Sequence, residues 1–373
     1  MRKILLILMM FLGTLGFAFA DEAQILPSQT GTVQKIKYID IDEEAAQTKQ
    51  EIEIRLNDGN VILVDNILTG NPYYDIKLKK GNKVILHVEN EGDGLIFSIE
   101  DIQRSQTLVW LALLFCGLLI YVGKKKGLLS LVSIIITCIL IFNLLTPMTL
   151  AGLHPVLGTI IICLISTALT MYLVGGFNKK STSATLGCVL SLLIAGILSF
   201  ITVKTASLTG FSNENSMYLF SAHPELDFVA IIISTMMLAT LGAVMDVGMS
   251  IASTINEIYE VDNSKTVKEL FTCGMNVGRD IIGTMANTLI LVYLGGSLPL
   301  ILLASNIDLQ KFINLNQVVT EISSALIGSI AIVICVPITA IVASELIKKK
   351  DRLNFSFTDG ILTLKRRGEL CII

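Results

Sequence analysis

The sequence predicts an α-helical polytopic membrane protein of about seven transmembrane helices, with a small N-terminal extracytoplasmic β-rich domain. Three observations carry this. Apolar runs of about 20 residues, the length that crosses a bilayer, recur from residue 107 onward. Between 21 and 106, short alternating segments are separated by turn signals. The chain opens with Arg2 and Lys3, an apolar stretch over 4–17, and Ala18-Phe19-Ala20 before Asp21. Composition agrees: 53% of residues are hydrophobic, 16% are charged and the mean hydropathy is +0.71. A net charge of −3 is small and predicts no nucleic-acid surface.

Taken in order, residues 1–20 have the basic, apolar and small-x-small parts of a secretory signal peptide; an uncleaved anchor is the alternative. Residues 21–106 follow as an extracytoplasmic, small β-barrel-like domain. Segments 32–39 and 51–56 alternate, Asn57-Asp58-Gly59-Asn60 is a tight-turn signal, and 61–64 completes a hairpin. Lys80-Gly81-Asn82 precedes a strand at 83–88, and Glu91-Gly92-Asp93-Gly94 precedes another at 95–99. An OB-like barrel is one such architecture, and it specifies no ligand. None of the seven cysteines lies before residue 107, so this domain has no disulfide framework. The cysteines in apolar runs (116, 138, 163, 188 and 335) read as small buried hydrophobes.

The membrane domain, 107–346, reads as spans at 107–123, 127–147, 156–176, 183–203, 228–248, 281–304 and 322–346. Lys124-Lys125-Lys126, Lys179-Lys180, Lys265, Lys268, Arg279 and Lys348-Lys349-Lys350 all fall on one side. The positive-inside rule makes that side the cytoplasm, with the N-terminal domain outside and a cytoplasmic tail at 347–373.

The functional signal is a polar block between 242 and 299. On one helix, Asp246, Ser250, Ser253 and Glu257 recur every three or four residues, with Asn256 beside them. Gly242 lies one turn before and is placed to admit a close neighbour. On the next span, which opens at Arg279-Asp280 just after Asn276, the residues Asp280, Thr284, Asn287 and Thr288 share a face with Gly283. Asp246 and Arg279 are a candidate ion pair, and Asp280 with Arg279 of its own helix end is the alternative. Gly295-Gly296 and Pro299 mark a helix that breaks or ends. Ionisable and amide groups at membrane depth are costly and usually face a partner or a cavity. The candidate substrate or ion path is therefore Asp246, Ser250, Asn256, Glu257, Asn276, Arg279, Asp280, Thr284, Asn287, Gly295, Gly296 and Pro299. The competing reading of the block is helix packing with an interfacial salt bridge.

Two parts of this block carry a resemblance. Ala243-Val244-Met245-Asp246-Val247-Gly248-Met249-Ser250-Ile251-Ala252-Ser253, with Asn256-Glu257 after it, resembles the first signature of the YibE/YibF-like family of bacterial membrane proteins. Gly278-Arg279-Asp280-Ile281-Ile282-Gly283-Thr284-Met285-Ala286-Asn287-Thr288-Leu289, then Tyr293-Leu294-Gly295-Gly296-Ser297-Leu298-Pro299, resembles the second. The resemblance covers roughly 107–346. It implies a multi-spanning bacterial membrane protein and supplies no substrate or reaction.

Other constellations are weaker. His154, His223, Glu225 and Asp227 fall on loops and match no metal-ligand spacing; they read as solvated. The segment 259–272 reads as an amphipathic surface helix or a solvated connector. No nucleophile elbow, HExxH, phosphate loop or dinucleotide fingerprint is present. No cofactor or metal is expected. Three functions remain. A secondary transporter or permease would use the polar block on an ion or small solute. A receptor or assembly subunit would bind a protein partner through its exported domain. A membrane enzyme would need a nucleophile or metal beside Asp246, Glu257 and Asp280, and the sequence offers neither. The bilayer is a partner in every case.

Overall fold

The computed structural model describes residues 28–366 apart from 43–46, 72, 74 and 92–93. The signal-peptide segment, Gly92-Asp93 of the expected turn and the last seven residues lie outside this set. Two compact units emerge, one from Phe19–Val122 and one including Gly123–Ile373.

The first unit holds five antiparallel strands: β1 (Gln29–Asp42), β2 (Gln47–Leu56), β3 (Val61–Leu68), β4 (Lys83–Glu91) and β5 (Gly94–Ile102). Their order is β3-β2-β1-β4-β5. The strands expected from alternation are all present and mostly longer than read. β1 pairs with β2 from Gly31 to Asp42 and with β4 only from Gln29 to Thr32. Register shifts between Val33 and Lys35 and between Asp40 and Asp42 bend it. One face buries Val33, Ile52, Ile54, Val64, Val84 and Leu86. The turn after β2 forms as the sequence dictates: Asp58 accepts from the Asn60 backbone at 3.0 Å. After β3, Asp75 accepts from the backbone of Thr69 at 2.6 Å and of Gly70 at 2.9 Å. Those donors hold its carboxyl below the usual carboxylate range, the Thr69 amide foremost.

The remaining residues are helical. Helix α1 (Ser105–Leu140) leaves helical geometry at Lys124 (φ 50, ψ −128) and continues through a π-helical turn, Ile141–Leu145, and a short segment, Thr146–Leu150. Then come α2 (Pro155–Gly175), α3 (Lys179–Thr205), α4 (Glu214–Ala222), α5 (Phe228–Val261), α6 (Val267–Gly296), α7 (Leu298–Leu303), α8 (Leu309–Ile313) and α9 (Asn316–Arg366).

Among the described residues, six helical runs are long and apolar enough to cross a membrane. The sequence suggested seven spans. The difference arises at Ser105–Leu150, a 46-residue run that contains both of the first two expected spans. The last span also outruns its expected end: α9 continues from Asn316 to Arg366, well into the segment read as a tail.

Caps from the sequence set the helix starts. Asn178 accepts from the Ser181 amide, Asp227 from the Ala230 amide and Thr266 from the Glu269 amide. At Thr266 the capping box is complete, since Glu269 accepts in return from the Thr266 backbone at 2.7 Å. The α6 helix therefore begins well before Arg279-Asp280, which lie inside it rather than at its opening. The segment read as a surface helix or connector is instead the end of α5, a turn over 262–266, and the first residues of α6, where Leu270 is fully buried.

The core of this unit lies where α3, α5 and α9 pack, with α2 and α6 against them. Cys163, Cys188 and Cys335 are buried there as small hydrophobes. Close approach falls at Gly248, where an added Cβ would overlap Cys188 Sγ, and at Gly278, where it would overlap Val336. Gly242, the position expected to admit a neighbour, has open space beside it. Buried hydroxyls mostly donate one turn back along their own helix. Ser191 bonds the Gly187 carbonyl, Ser199 that of Ala195 and Ser234 that of Ala230, each at 2.8 Å.

Candidate functional site

The polar residues of α5 occupy its least covered side. Gly242, Asp246, Ser250 and Glu257 are exposed, whereas Val244, Val247, Gly248, Ile251 and Ile255 on the other side are buried. The helix runs unbroken to Val261, so Asp246, Ser250 and Glu257 do share a stripe, as the spacing requires. Asn256 donates to Glu260 at 2.8 Å. Asp246 has no hydrogen-bond or ion-pair partner among the described residues.

On α6 the arrangement is similar. Asn276, Arg279, Asp280, Gly283, Thr284, Asn287 and Thr288 are all exposed. The opposite side carries Gly274 and Gly278, buried against α5 and α9. Thr284 donates to the Ile281 carbonyl at 3.0 Å and Thr288 to that of Thr284 at 2.9 Å. Arg279 donates to Asn276 at 3.1 Å, one turn back on its own helix.

The two stripes do not meet. Helices α5 and α6 touch through an apolar seam, with Ile251 and Ile255 against Gly278 and Gly274. The expected pairing of Asp246 with Arg279 is absent among the described residues, because that seam holds the two polar faces apart and Arg279 turns to Asn276.

The Gly295-Gly296 and Pro299 segment resolves as a helix end followed by a short helix. α6 stops at Gly296, Ser297 caps it, and α7 starts with Pro299 in its first turn, where a missing N–H costs nothing. An added Cβ would meet open space at Gly295 and Gly296. This interruption walls a cavity of about 200 Å³ with Tyr293, Ser297 and Leu300 on one side and Glu321 and Ala325 of α9 on the other. Glu321 did not figure among the sequence candidates. It is half-buried and has no ion-pair partner among the described residues. Its signal was a carboxylate directly abutting the last apolar run.

The loop imidazoles form two separate pairs. His223 lies 3.1 Å from Glu225, and His154 lies 4.0 Å from Asp227, which also caps α5. Among the described residues no three His, Cys, Asp or Glu side chains gather as a metal-binding group.

A helical bundle with several membrane-length spans and an N-terminal antiparallel sheet defines a polytopic membrane protein. Residues 111–349, well over half of the chain, match the YibE/F-like protein family, and the chain belongs to that family. Comparison with curated proteins and with solved structures gives no match.

Proposed function

We propose that this protein is a secondary transporter or permease for an ion or small solute, using the polar block at 242–299. The observation that supports it most is a pair of unpartnered carboxylates, Asp246 and Glu321, within helices of membrane length. An isolated carboxylate in such a place is retained at a cost, and ion and proton paths are the commonest reason. The interrupted helix at Gly296 beside the Glu321 cavity adds the broken-helix element that such sites use. In this reading the signal peptide is cleaved, residues 21–106 lie outside and the C-terminal residues lie in the cytoplasm. The Ser105–Leu150 run crosses twice, because about 70 Å of helix is over twice the hydrocarbon thickness.

The test compares ions and small metabolites inside and outside cells that lack the protein, carry it, or carry Asp246→Asn at equal membrane level. The expected result is a species whose distribution follows the native chain, with flux reduced about tenfold or more by Asp246→Asn. Flux unaltered by that change, or no species that differs among the strains, overturns the proposal.

A second reading is a receptor or assembly subunit whose exported domain binds a partner. It is favoured by Val61, Leu63 and Ile67, which alternate along β3 and stand exposed on one face of the sheet. A stoichiometric partner lost on replacing Leu63 and Ile67 by serine would support it; full function without residues 21–104 would sink it.

A further inference from the structure

We infer that the outward polar face of α6 is covered by the same face of a second copy of this chain, so that the protein is a two-fold dimer with α6 at its centre. Asn276, Asp280, Gly283 and Asn287 follow at intervals of four, three and four residues, and all are exposed. That interval pattern is the seam of a left-handed helix pair. Arg279 and Thr284 flank the seam, and Leu291 and Leu294 extend it as an exposed apolar end.

Lipid tails offer no hydrogen bond, so Thr284, Asn287 and Thr288, the part of the stripe inside the expected span, are not turned to them without compensation, while Arg279 and Asp280 stand at its polar end. Among the described residues, α6 packs on the opposite side, through Gly274 and Gly278. The apolar segments 4–17 and 107–122 contain no carboxylate, amide or cation, so neither could satisfy the stripe.

A second copy satisfies it by symmetry. Two chains inserted in the same direction pair about an axis along the membrane normal, so residues at equal depth meet. The stripe as a whole is complementary to itself under that operation, with Asp280 answered by Arg279 of the other copy rather than by its own equivalent. Asn276 and Asn287 each carry a donor and an acceptor. Arg279 and Asp280 are adjacent, so Arg279 of one copy faces Asp280 of the other in two reciprocal pairs. Gly283 sits between these levels with open space beside it, which lets the two backbones approach. The pairing takes up the α6 half of the polar block and leaves Asp246 of α5, the carboxylate that the transport test varies, on a separate face.

The test uses the full-length chain, co-expressed with two different tags. One tag is captured from detergent extracts and the other is quantified, with membrane level measured for each variant. The native chain co-captures its second copy. Arg279→Asp and Gly283→Leu each lower co-capture about tenfold or more, the scale expected when a desolvated charge pair is broken. Arg279→Asp combined with Asp280→Arg restores it, which distinguishes a lost contact from a misfolded chain. Ile197→Ala, on the exposed side of α3, leaves it unchanged. Three results overturn the inference: a monomeric native chain, co-capture indifferent to both stripe variants, or a different protein held stoichiometrically in place of the second copy. Failure of the double reversal to restore pairing at normal membrane level also overturns it.

Discussion

The α3–α5–α9 core and the outer face of α6 use the same kinds of residue to opposite ends. In the core, Ser191, Ser199 and Ser234 are buried, yet each hydroxyl closes on its own backbone. Gly248 is there because Cys188 occupies the space that a side chain would need. On α6, Asn287 and Asp280 point outward and Gly283 has nothing beside it. Small and polar residues in a membrane helix are therefore not one signal. Those whose demands are met within the chain report packing, and those left open report something outside the chain.

Substitutions at the two kinds of glycine break this contrast most sharply. Gly248→Leu forces side-chain atoms into Cys188 and costs about 1–3 kcal/mol or more. It should lower the amount of folded protein recovered from membranes, read as a monodisperse peak by fluorescence-detected size exclusion. Gly283→Leu has room within its own chain and should leave that recovery of folded protein intact while altering assembly. Equal losses of folded protein at both positions would erase the distinction.

A smaller effect is expected at Ser191. Its hydroxyl bonds the carbonyl of Gly187 on the same helix, which is already served by the helix itself. Ser191→Ala should change stability by about 0.6 kcal/mol or less, measured by thermal unfolding in detergent.

The smallest is in the sheet unit. Asp75 is partly exposed, and its donors lower its pKa, so the folded state favours its charged form. Its contribution is present above the unfolded-state value and is lost as pH falls through the lowered folded value. Asp75→Asn should reduce hydrogen-exchange protection at the Thr69 and Gly70 amides near neutral pH. The two chains should converge once pH is well below the carboxylate range.

The sheet was legible because period-two alternation and Asn-Asp-Gly-Asn turns are local signals. What alternation could not give was the length of β1, whose bends depend on two partners at once. The continuation of α5 to Val261 followed from the spacing of Asp246, Ser250 and Glu257. The start of α6 did not, although Thr266 and Glu269 carry the capping-box pattern. Lys265, Lys268 and Arg279 weigh against a membrane helix in any hydropathy window, while helix formation itself is indifferent to them. Glu321 was passed over for the same reason: the apolar run begins after it, but the helix begins at Asn316. Gly242 and Gly248 are both compatible with close packing in sequence. Only the position of α3 decides that Gly248 is the one that packs.

The turn at 262–266 has a consequence for how this molecule would look from the side. Helix α5 has 34 residues and α6 has 30, about 51 and 45 Å of helix. A hydrocarbon layer is about 30 Å thick, so the hairpin overshoots it. The Lys348 ammonium, donating to the Asn263 carbonyl at 2.7 Å, lashes α9 to its tip. The excess is not a free loop at this end, because the turn at 262–266 is held to α9. A protease added to one side of sealed vesicles would reach that turn only if the turn faces that side, which makes 262–266 a reporter of orientation.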